Sequence, residues 1–185
     1  PMGGIFVIYV FLANGFEETE AIAPIDILRR AELDVKIVGV ESDVIVGSHG
    51  IAVGCDATVT DIDGKDLEMI VLPGGMPGTL NLEKSPGVQS CIDYAVEHHL
   101  YIGAICAAPS ILGHKGLLAG KEAICFPGYE QELTGARISE KSVCVDGKII
   151  TAKGAGVAVD FGLALVACLK GEERAKILGE SLQCR

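Results

Sequence analysis

Short apolar runs alternate with amphipathic stretches along this chain. Apolar runs of strand length predict buried β-strands over residues 5–12, 35–40, 68–72, 101–105 and 122–126. The segments between and after them predict helices over residues 17–31, 85–98, about 109–114, 157–169 and 172–182. This strand–helix alternation predicts an α/β fold, a mostly parallel sheet covered by helices on both faces.

Two further segments add short strands to this pattern. Residues 44–57 hold one or two short strands around Gly47 and Gly50. Residues 142–145 and 148–152 flank Asp146-Gly147, a dipeptide typical of tight hairpin turns. Pro24 must either begin the first helix or kink it, since it cannot donate the backbone hydrogen bond.

The composition favours a single domain over residues 1–185. Hydrophobic residues make up 49% of the chain, which is ample for a buried core, and no linker or repeat divides it. Only 5% of residues are aromatic and there is no Trp. The core must therefore consist mostly of Ile, Leu, Val and Ala, as expected for helices packed on a parallel sheet.

The net charge of −10 argues against a nucleic-acid partner, because phosphate binding needs a basic surface. The apolar start over residues 5–13 is too short to span a membrane and lacks the basic region and cleavage site of a signal peptide. We therefore expect a cytoplasmic protein with no membrane partner. Pro1, which stands where an initiator Met is expected, is left out of the fold argument.

The cysteine pattern predicts free thiols. The seven cysteines are odd in number and scattered, and no C-x-x-C pair suggests zinc or dithiol redox chemistry. Without a secretion signal, a reducing compartment is the better interpretation. Most of these thiols are expected to be small core residues or inert surface groups.

Three predicted strands end in unusual loops, and ligands in parallel sheets bind at the carboxyl ends of the strands. These loops are residues 14–20, Pro73-Gly74-Gly75, and Cys106-Ala107-Ala108-Pro109. The first loop carries three glutamates, which would repel the phosphate of a nucleotide. Glu17 and Glu18 are interpreted as acidic residues that complement the dipole of the following helix.

Cys106 stands where a nucleophile elbow is expected. Such an elbow needs a strand, a strained turn at the nucleophile and then a helix, with small neighbours around it. The amide dipoles of the helix would favour the thiolate and lower the pKa of Cys106. The backbone N–H groups of Ala107 and Gly75 could form an oxyanion site. From spacing alone, a buried structural cysteine remains an equal alternative.

Five motifs in register carry a resemblance over nearly the whole chain. They are Gly-Phe-Glu-Glu-Thr-Glu (15–20), Leu-Pro-Gly-Gly (72–75), Ala-Ile-Cys-Ala-Ala-Pro (104–109), Phe-Pro-Gly (126–128) and Lys-Gly-Ala-Gly (153–156). Together they resemble the ThiJ/PfpI superfamily, in the branch that holds the Parkinson-disease protein deglycase and its bacterial relatives.

The resemblance implies a flavodoxin-like (Rossmann-like) three-layer sandwich, a homodimer and an oxidisable Cys106 at a nucleophile elbow. It also implies that Glu20 is protonated and hydrogen-bonds the Cys106 sulfur. The substrate pocket is expected at Gly74, Phe126, Pro127 and Ala155. The implied chemistry needs no metal and no organic cofactor.

Departures from the family pattern narrow the chemistry. The protease-like branch has His directly after the nucleophile, where this chain has Ala107. His114 lies eight residues further on, about 12 Å along a helix, so it cannot serve as the base of a Cys–His peptidase. Phe126 replaces a His common in animal members and leaves Glu20 as the sole acid/base, and Ala155 replaces a common proline.

The leading hypothesis is a cysteine-dependent enzyme that detoxifies reactive carbonyls. Its substrates would be small α-oxoaldehydes such as methylglyoxal (a glyoxalase III-like activity) or early glycation adducts (a deglycase activity). The first alternative is an oxidative-stress sensor whose Cys106 oxidises to sulfinate. The second is a redox-regulated chaperone, for which the sequence offers no positive feature.

Overall fold

Four of the five predicted apolar runs form the central strands of a seven-stranded sheet in the computed structural model, which describes residues 6–185. In chain order the strands are β1 (Val7–Leu12), β2 (Val35–Gly39), β3 (Val44–Val46), β4 (Ala52–Gly54), β5 (Ala57–Thr58), β6 (Leu67–Leu72), β7 (Tyr101–Ile105), β8 (Glu122–Ala123), β9 (Arg137–Ile138), β10 (Val143–Asp146) and β11 (Ile149–Ala152).

The main sheet has the order β10-β11-β7-β6-β1-β2-β5. Every neighbouring pair in it is parallel except the β10–β11 hairpin, whose turn begins at Gly147. Numbered among themselves, the five long parallel strands run 2-1-3-4-5, which is the flavodoxin-like order. The predicted α/β flavodoxin-like fold is therefore confirmed.

Helices cover both faces of this sheet. They are α1 (Glu18–Arg30), α2 (Gly78–Glu83), α3 (Pro86–Glu97), α4 (Pro109–His114), α5 (Ala158–Lys170) and α6 (Glu172–Ser181), with short 3-10 helices at Glu130–Glu132 and Ala155–Val157. Ser85 caps α3 by accepting the Val88 N–H (3.3 Å), and Pro86 is the first residue of the helix. Pro24 lies inside α1.

The core consists of two apolar layers, one on each face of the sheet. Strand β1 serves both layers because successive side chains point to opposite faces: Ile8 and Val10 on one, Tyr9 and Phe11 on the other. Helices α1, α5 and α6 cover the first layer, and α2, α3 and α4 cover the second. Burial on both faces explains why the strands are continuously apolar.

Several predicted boundaries are wrong. The strand predicted over residues 122–126 shrinks to β8, which pairs with β9 outside the main sheet. The chain then turns away, because the Ile124 N–H donates to Thr151 Oγ1 (3.0 Å) and the Phe126 N–H donates to the Cys106 carbonyl (2.9 Å). Helix α2 and strand β9 were not predicted, and Pro1 and Ile5 lie outside the described residues.

Neighbouring strands β1, β6 and β7 are parallel, so the loops after them meet at one edge of the sheet. This edge lies where the strand order reverses, between β1 and β6, which is the usual ligand site of such sheets. Within residues 6–185, no helix is both long enough and apolar enough to cross a membrane.

Candidate active site

Cys106 stands directly after β7 with a positive φ of 65°. A non-glycine residue in this region costs about 1–3 kcal/mol, so the surrounding structure must hold it there. Two backbone bonds do so: the Cys106 N–H donates to the Ala152 carbonyl (2.8 Å), and its carbonyl accepts the Phe126 N–H (2.9 Å). The chain continues through Ala107 and Ala108 into α4, so the backbone has the strand–turn–helix form of a nucleophile elbow.

Glu20 approaches Cys106 from helix α1. Its side chain is buried, with 1% of the residue exposed, and it hydrogen-bonds the Cys106 side chain. The Gly74 N–H donates to Glu20 Oε1 (3.1 Å) and fixes the carboxyl group. The structure therefore brings the two predicted reactive side chains into direct contact.

Gly74 makes this contact possible because it has no side chain. A Cβ atom at this position would lie 2.6 Å from Glu20 Oε1, 2.7 Å from Cys106 Cβ and 2.8 Å from the Ile105 carbonyl oxygen. These distances are shorter than van der Waals contact allows. The Gly-Gly turn after β6 is thus required where the backbone passes between the acid and the thiol.

Two backbone donors point at the sulfur. The N–H groups of Ala107 and Gly75 hydrogen-bond the Cys106 side chain. Gly75 has a φ of 91°, and its carbonyl accepts the Thr79 N–H and Oγ1 hydroxyl, each at 2.9 Å. The predicted donor pair is therefore placed where it could stabilise negative charge on sulfur or on an adjacent oxygen.

Burial dominates the electrostatics of Glu20. The pKa of Glu20 is raised from 4.5 to about 7; removal from water is the main cause, and the charge of Glu17 acts in the same direction. The hydrogen bonds from Cys106 and Gly74 act in the opposite direction. Near neutrality, Glu20 can therefore both accept and donate a proton.

The expected low pKa of the thiol is wrong. Burial, then the charge of Glu20 and its hydrogen bond, raise the pKa of Cys106 to about 12. The Ala107 and Gly75 amides lower it, but they do not outweigh burial. Helix α4 starts only at Pro109 and has six residues, so its dipole is too short and too remote to decide the charge of the sulfur.

Cys106 and Glu20 consequently titrate as one unit. Below about pH 7 the pair holds two protons, and above it one proton is shared between sulfur and carboxyl. The tautomer with the proton on Glu20 and the charge on sulfur has the same net charge as its alternative. Thiolate is therefore available through proton transfer to Glu20, without the low intrinsic pKa that the sequence predicted.

The predicted substrate-pocket residues differ in their exposure and in their position relative to Cys106. Phe126 is 47% exposed, and a Cβ at Gly154 would lie 3.5 Å from its ring, so Phe126 stands beside the turn that leads to half-buried Ala155. Pro127 follows on the exposed side of the same loop. Gly74 lies between the acid and the thiol. His114 was predicted to be too far along the helix to serve Cys106, and its ring nitrogens contact Glu83 and Glu132 instead.

The sequence analysis missed the role of Glu17 as helix cap. Glu17 Oε2 accepts the Glu20 N–H (2.9 Å) at the start of α1. A signal was available, because Glu17 and Glu20 stand three residues apart at a predicted helix start, the spacing of a capping interaction. The interpretation of Glu17 as a residue that only complements the helix dipole is less specific than this capping hydrogen bond.

One group of three side chains within residues 6–185 could hold a metal ion by proximity. Donor atoms of Glu17, Glu18 and His49 lie within 4.8 Å of one another. Both carboxylates already accept backbone N–H groups, and the positive end of α1 disfavours a cation beside them.

Comparison with known proteins gives the family. The model of the DJ-1/PfpI family matches residues 7–168, a range that contains all the site residues above. The chain belongs to the DJ-1/PfpI family. The resemblance inferred from the five motifs is confirmed.

Three family members show the extent of the similarity. Protein DJ-1 homolog B of Arabidopsis thaliana is 37% identical over 89% of this chain, which spans only 38% of that longer protein. Glutathione-independent glyoxalase DJR-1.2 of Caenorhabditis elegans is 30% identical over 88% of this chain and 87% of its own. The solved structure of oxidized DJ-1 from Toxoplasma gondii has a TM-score of 0.93, with 31% identity, over 97% of this chain and 98% of that one.

Proposed function

We propose that this protein consumes small α-oxoaldehydes such as methylglyoxal, with Cys106 as nucleophile and Glu20 as proton carrier. The observation that carries the proposal is the buried, hydrogen-bonded Cys106–Glu20 pair with two backbone N–H groups beside the sulfur. The glyoxalase name of the Caenorhabditis elegans relative supports the reaction class. No metal and no organic cofactor enters the proposed chemistry.

The first step is addition of sulfur to the aldehyde carbon. As the S–C bond forms, the thiol proton moves to the Glu20 carboxylate and the carbonyl π electrons move to oxygen. The resulting alkoxide is stabilised by the N–H groups of Gly75 and Ala107, which already contact the sulfur. Protonation of this oxygen gives a hemithioacetal.

The second step moves hydrogen within the substrate. Glu20 removes the proton from the former aldehyde carbon, and the neighbouring ketone oxygen is protonated, which gives an enediol. Return of a proton to the second carbon yields a thioester of lactate on Cys106. The first carbon is thereby oxidised and the second reduced, so no external oxidant is needed. Water then hydrolyses the thioester to lactate and free thiol.

Lactate formation from methylglyoxal tests this proposal. Cys106→Ser is expected to abolish it, and Glu20→Gln to reduce kcat by about 10²–10⁴-fold, the usual contribution of a positioned acid/base. Cys184→Ser, which removes an exposed thiol, is the matched control and should retain activity. Activity that survives Cys106→Ser would sink the mechanism.

The same addition step extends the proposal to early glycation adducts of proteins or nucleotides. Cys106 is only partly buried and Phe126 beside it is exposed, so the elbow opens to the surface. An excess of an independent methylglyoxal scavenger separates the two substrates. Repair that continues under scavenging supports action on the adduct itself, whereas repair that stops indicates consumption of free methylglyoxal only.

Oxidation of Cys106 is the second candidate function, and the solved Toxoplasma relative is itself described as oxidized. Two equivalents of peroxide would convert the Cys106 thiolate to sulfinate and be reduced to water, and protonated Glu20 would donate a hydrogen bond to the added oxygen. Peroxide titration with mass spectrometry should show oxidation at Cys106 before Cys91 or Cys184. Equal sensitivity of the three cysteines to peroxide would contradict the sensor function.

We also propose that the protein works in a reducing compartment such as the cytoplasm. All seven cysteines are free, which agrees with this proposal.

We further propose a homodimer, because one side of the molecule is apolar and exposed. Ile22 on α1 is 40% exposed and Ile51 beside β4 is 56% exposed, and together they line one groove. Ala23 and Val159 line a second groove further along α1 and α5. A second copy of the chain would cover this continuous strip, which we call the α1 face.

A further inference from the structure

We propose that Glu17 is a positioning residue that holds Glu20 against Cys106 and places a like charge beside it. The inference deepens the proposed function, since it rests on Glu20 as the proton carrier of Cys106. Glu17 itself touches no reacting atom; it acts through Glu20. Its position in the first glutamate motif had suggested only a general effect on the helix dipole.

Three hydrogen bonds connect Glu17, Glu20 and Gly74 in a closed ring. Glu17 Oε2 accepts the Glu20 N–H (2.9 Å), the Glu17 N–H donates to the Gly74 carbonyl (2.9 Å), and the Gly74 N–H donates to Glu20 Oε1 (3.1 Å). Glu17 thus fixes the backbone of the acid through its side chain and the Gly-Gly turn through its own backbone. Two of the three partners of the Cys106 sulfur, Glu20 and the Gly75 N–H, therefore lie on segments that Glu17 holds.

Packing around Gly75 shows how closely the two loops fit. A Cβ at Gly75 would lie 2.4 Å from the Glu17 nitrogen and 2.8 Å from the Phe16 carbonyl carbon. The turn that carries the Gly75 N–H therefore rests directly on the chain at Glu17. A shift of Glu17 would move the donor that contacts the sulfur.

Few charged groups face Glu20. Cys106 contacts it from the elbow, the Gly74 amide from the turn after β6, and Glu17 from its own helix. Glu17 is the like charge that disfavours ionisation of Glu20, and its side chain is only 18% exposed, so solvent screens it incompletely. The protonated acid is thereby kept available near neutral pH.

The neighbouring Glu18 is turned the other way. Its Oε1 and Oε2 accept the His49 N–H at 2.9 and 3.0 Å, and the Ser48 hydroxyl donates to Oε1 (3.4 Å). His49 Nδ1 lies 3.6 Å from Glu17 Oε1 and 3.5 Å from Glu18 Oε2, on the exposed side of both. Glu18 thus anchors the 47–50 turn, and it provides a control with the same charge one position away.

The pH dependence of Cys106 alkylation tests the inference without turnover. The rate constant for iodoacetamide at Cys106, followed by mass spectrometry, rises as the pair loses its first proton. Glu17→Gln keeps an oxygen acceptor at the cap and removes the charge. It is expected to shift the midpoint down by about half a pH unit to one unit, the size of one partly screened like charge. Glu18→Gln is expected to leave the midpoint unchanged.

Two further variants separate charge from positioning. Glu17→Asp keeps the charge and should retain the wild-type midpoint. Glu17→Ala removes charge and cap together, so it should shift the midpoint like Glu17→Gln and also lower kcat for methylglyoxal. An unchanged midpoint in Glu17→Gln, or an equal shift in Glu18→Gln, would overturn the inference. Because alkylation needs no catalysis, absence of glyoxalase activity alone would count against the proposed function and not against this role of Glu17.

Discussion

At the scale of single residues, the site depends on two side chains held in states that they would not adopt in water. Cys106 has a left-handed backbone conformation, and Glu20 is a carboxylic acid whose burial raises its pKa to about 7. Each state is unfavourable alone. Because the two side chains are in contact, one proton can move between the sulfur and the carboxyl group. The strained backbone of Cys106 and the burial of Glu20 make this contact possible.

Burial of Glu20 predicts a pH-dependent stability. The ordinary pKa of a glutamate carboxyl group is 4.5, and burial raises the pKa of Glu20 in the folded protein to about 7, so the folded protein binds an extra proton between these pH values. Stability is therefore highest below about pH 4.5 with respect to this group and falls as pH rises through 7. The full difference of about 2.5 pKa units corresponds to about 3 kcal/mol at pH 8.

Glu20→Gln should remove this loss while it abolishes proton transfer. Urea unfolding at pH 8 is expected to show the variant more stable than wild type, and the difference should shrink towards pH 5 as wild-type Glu20 takes up its proton. A variant equal to or weaker than wild type at pH 8 would show that Glu20 is not a destabilised buried acid.

Gly74 gives a second prediction at this scale. Gly74→Ala places a methyl group 2.6 Å from Glu20 Oε1 and 2.7 Å from Cys106 Cβ, so the acid and the thiol must separate. We expect overpacking to lower the free energy of unfolding by about 1–3 kcal/mol. Most of the proposed activity towards methylglyoxal should be lost as well. Gly156→Ala is the matched control, since nothing lies within 4 Å of the added methyl group. Equal activity in the two variants would contradict the close approach at Gly74.

At the scale of elements, the loops around the site are tied together behind it by His114. This residue ends α4, and its ring nitrogens lie 2.6 Å from Glu83 at the end of α2 and 2.6 Å from Glu132 in the 3-10 helix 130–132. Helix α2 follows the Gly-Gly turn, and the 3-10 helix follows Phe126. The His114 ring thus joins the three segments that flank Cys106.

The His114 bridge also predicts a pH-dependent stability. His114 is a base and Glu20 is an acid, but in both cases the free energy of unfolding falls as pH rises. Hydrogen bonds with Glu132 and Glu83 raise the pKa of His114 above 6.5. The stabilisation is complete below 6.5 and is lost as pH rises through the folded-state pKa. His114→Ala should therefore destabilise the protein more at pH 6 than at pH 9, by urea unfolding. Equal losses of the His114 variant at both pH values would contradict the bridge.

The strands were predictable because a doubly covered parallel sheet needs continuous apolar runs, and β1 and β7 obey this rule fully. The prediction for residues 122–126 failed because apolar side chains alone do not say where the backbone bonds go. There the chain bonds Thr151 and Cys106 instead of a neighbouring strand. Helix α2, with glycine and asparagine among its six residues, has too weak a helical pattern to be seen.

The residues of the candidate site could be predicted from the sequence, whereas the pKa of the Cys106 thiol could not. Loops that follow neighbouring parallel strands meet at one edge of the sheet, which placed Cys106, Gly75 and the loop with the three glutamates together. The family resemblance indicated which of the three glutamates, Glu20, contacts the sulfur. The direction of the shift in the Cys106 pKa was predicted wrongly. Burial decides this shift, and burial depends on side chains that come from distant parts of the chain. The role of Glu17 depends on the same long-range packing against Gly74.

At the scale of the whole molecule, the exposed α1 face predicts self-association. Light scattering after size exclusion should give the mass of a dimer for wild type, while Ile22→Asp with Ile51→Asp should give a monomer, because charges would be buried in the interface. Val96→Asp, at an exposed position on α3, is the control and should remain dimeric. A wild-type monomer at micromolar concentration would contradict the proposed homodimer.

The pH profile of Cys106 alkylation in wild type and in Glu20→Gln shows whether Cys106 and Glu20 share one proton. In wild type the rate constant should rise through about pH 7, where the pKa of Glu20 lies, and then level off. In Glu20→Gln that midpoint should vanish, and the rate should keep climbing about tenfold per pH unit towards the raised pKa of the isolated thiol. A wild-type profile without a midpoint near 7, or the same midpoint in Glu20→Gln, would show that the two groups do not act as a pair.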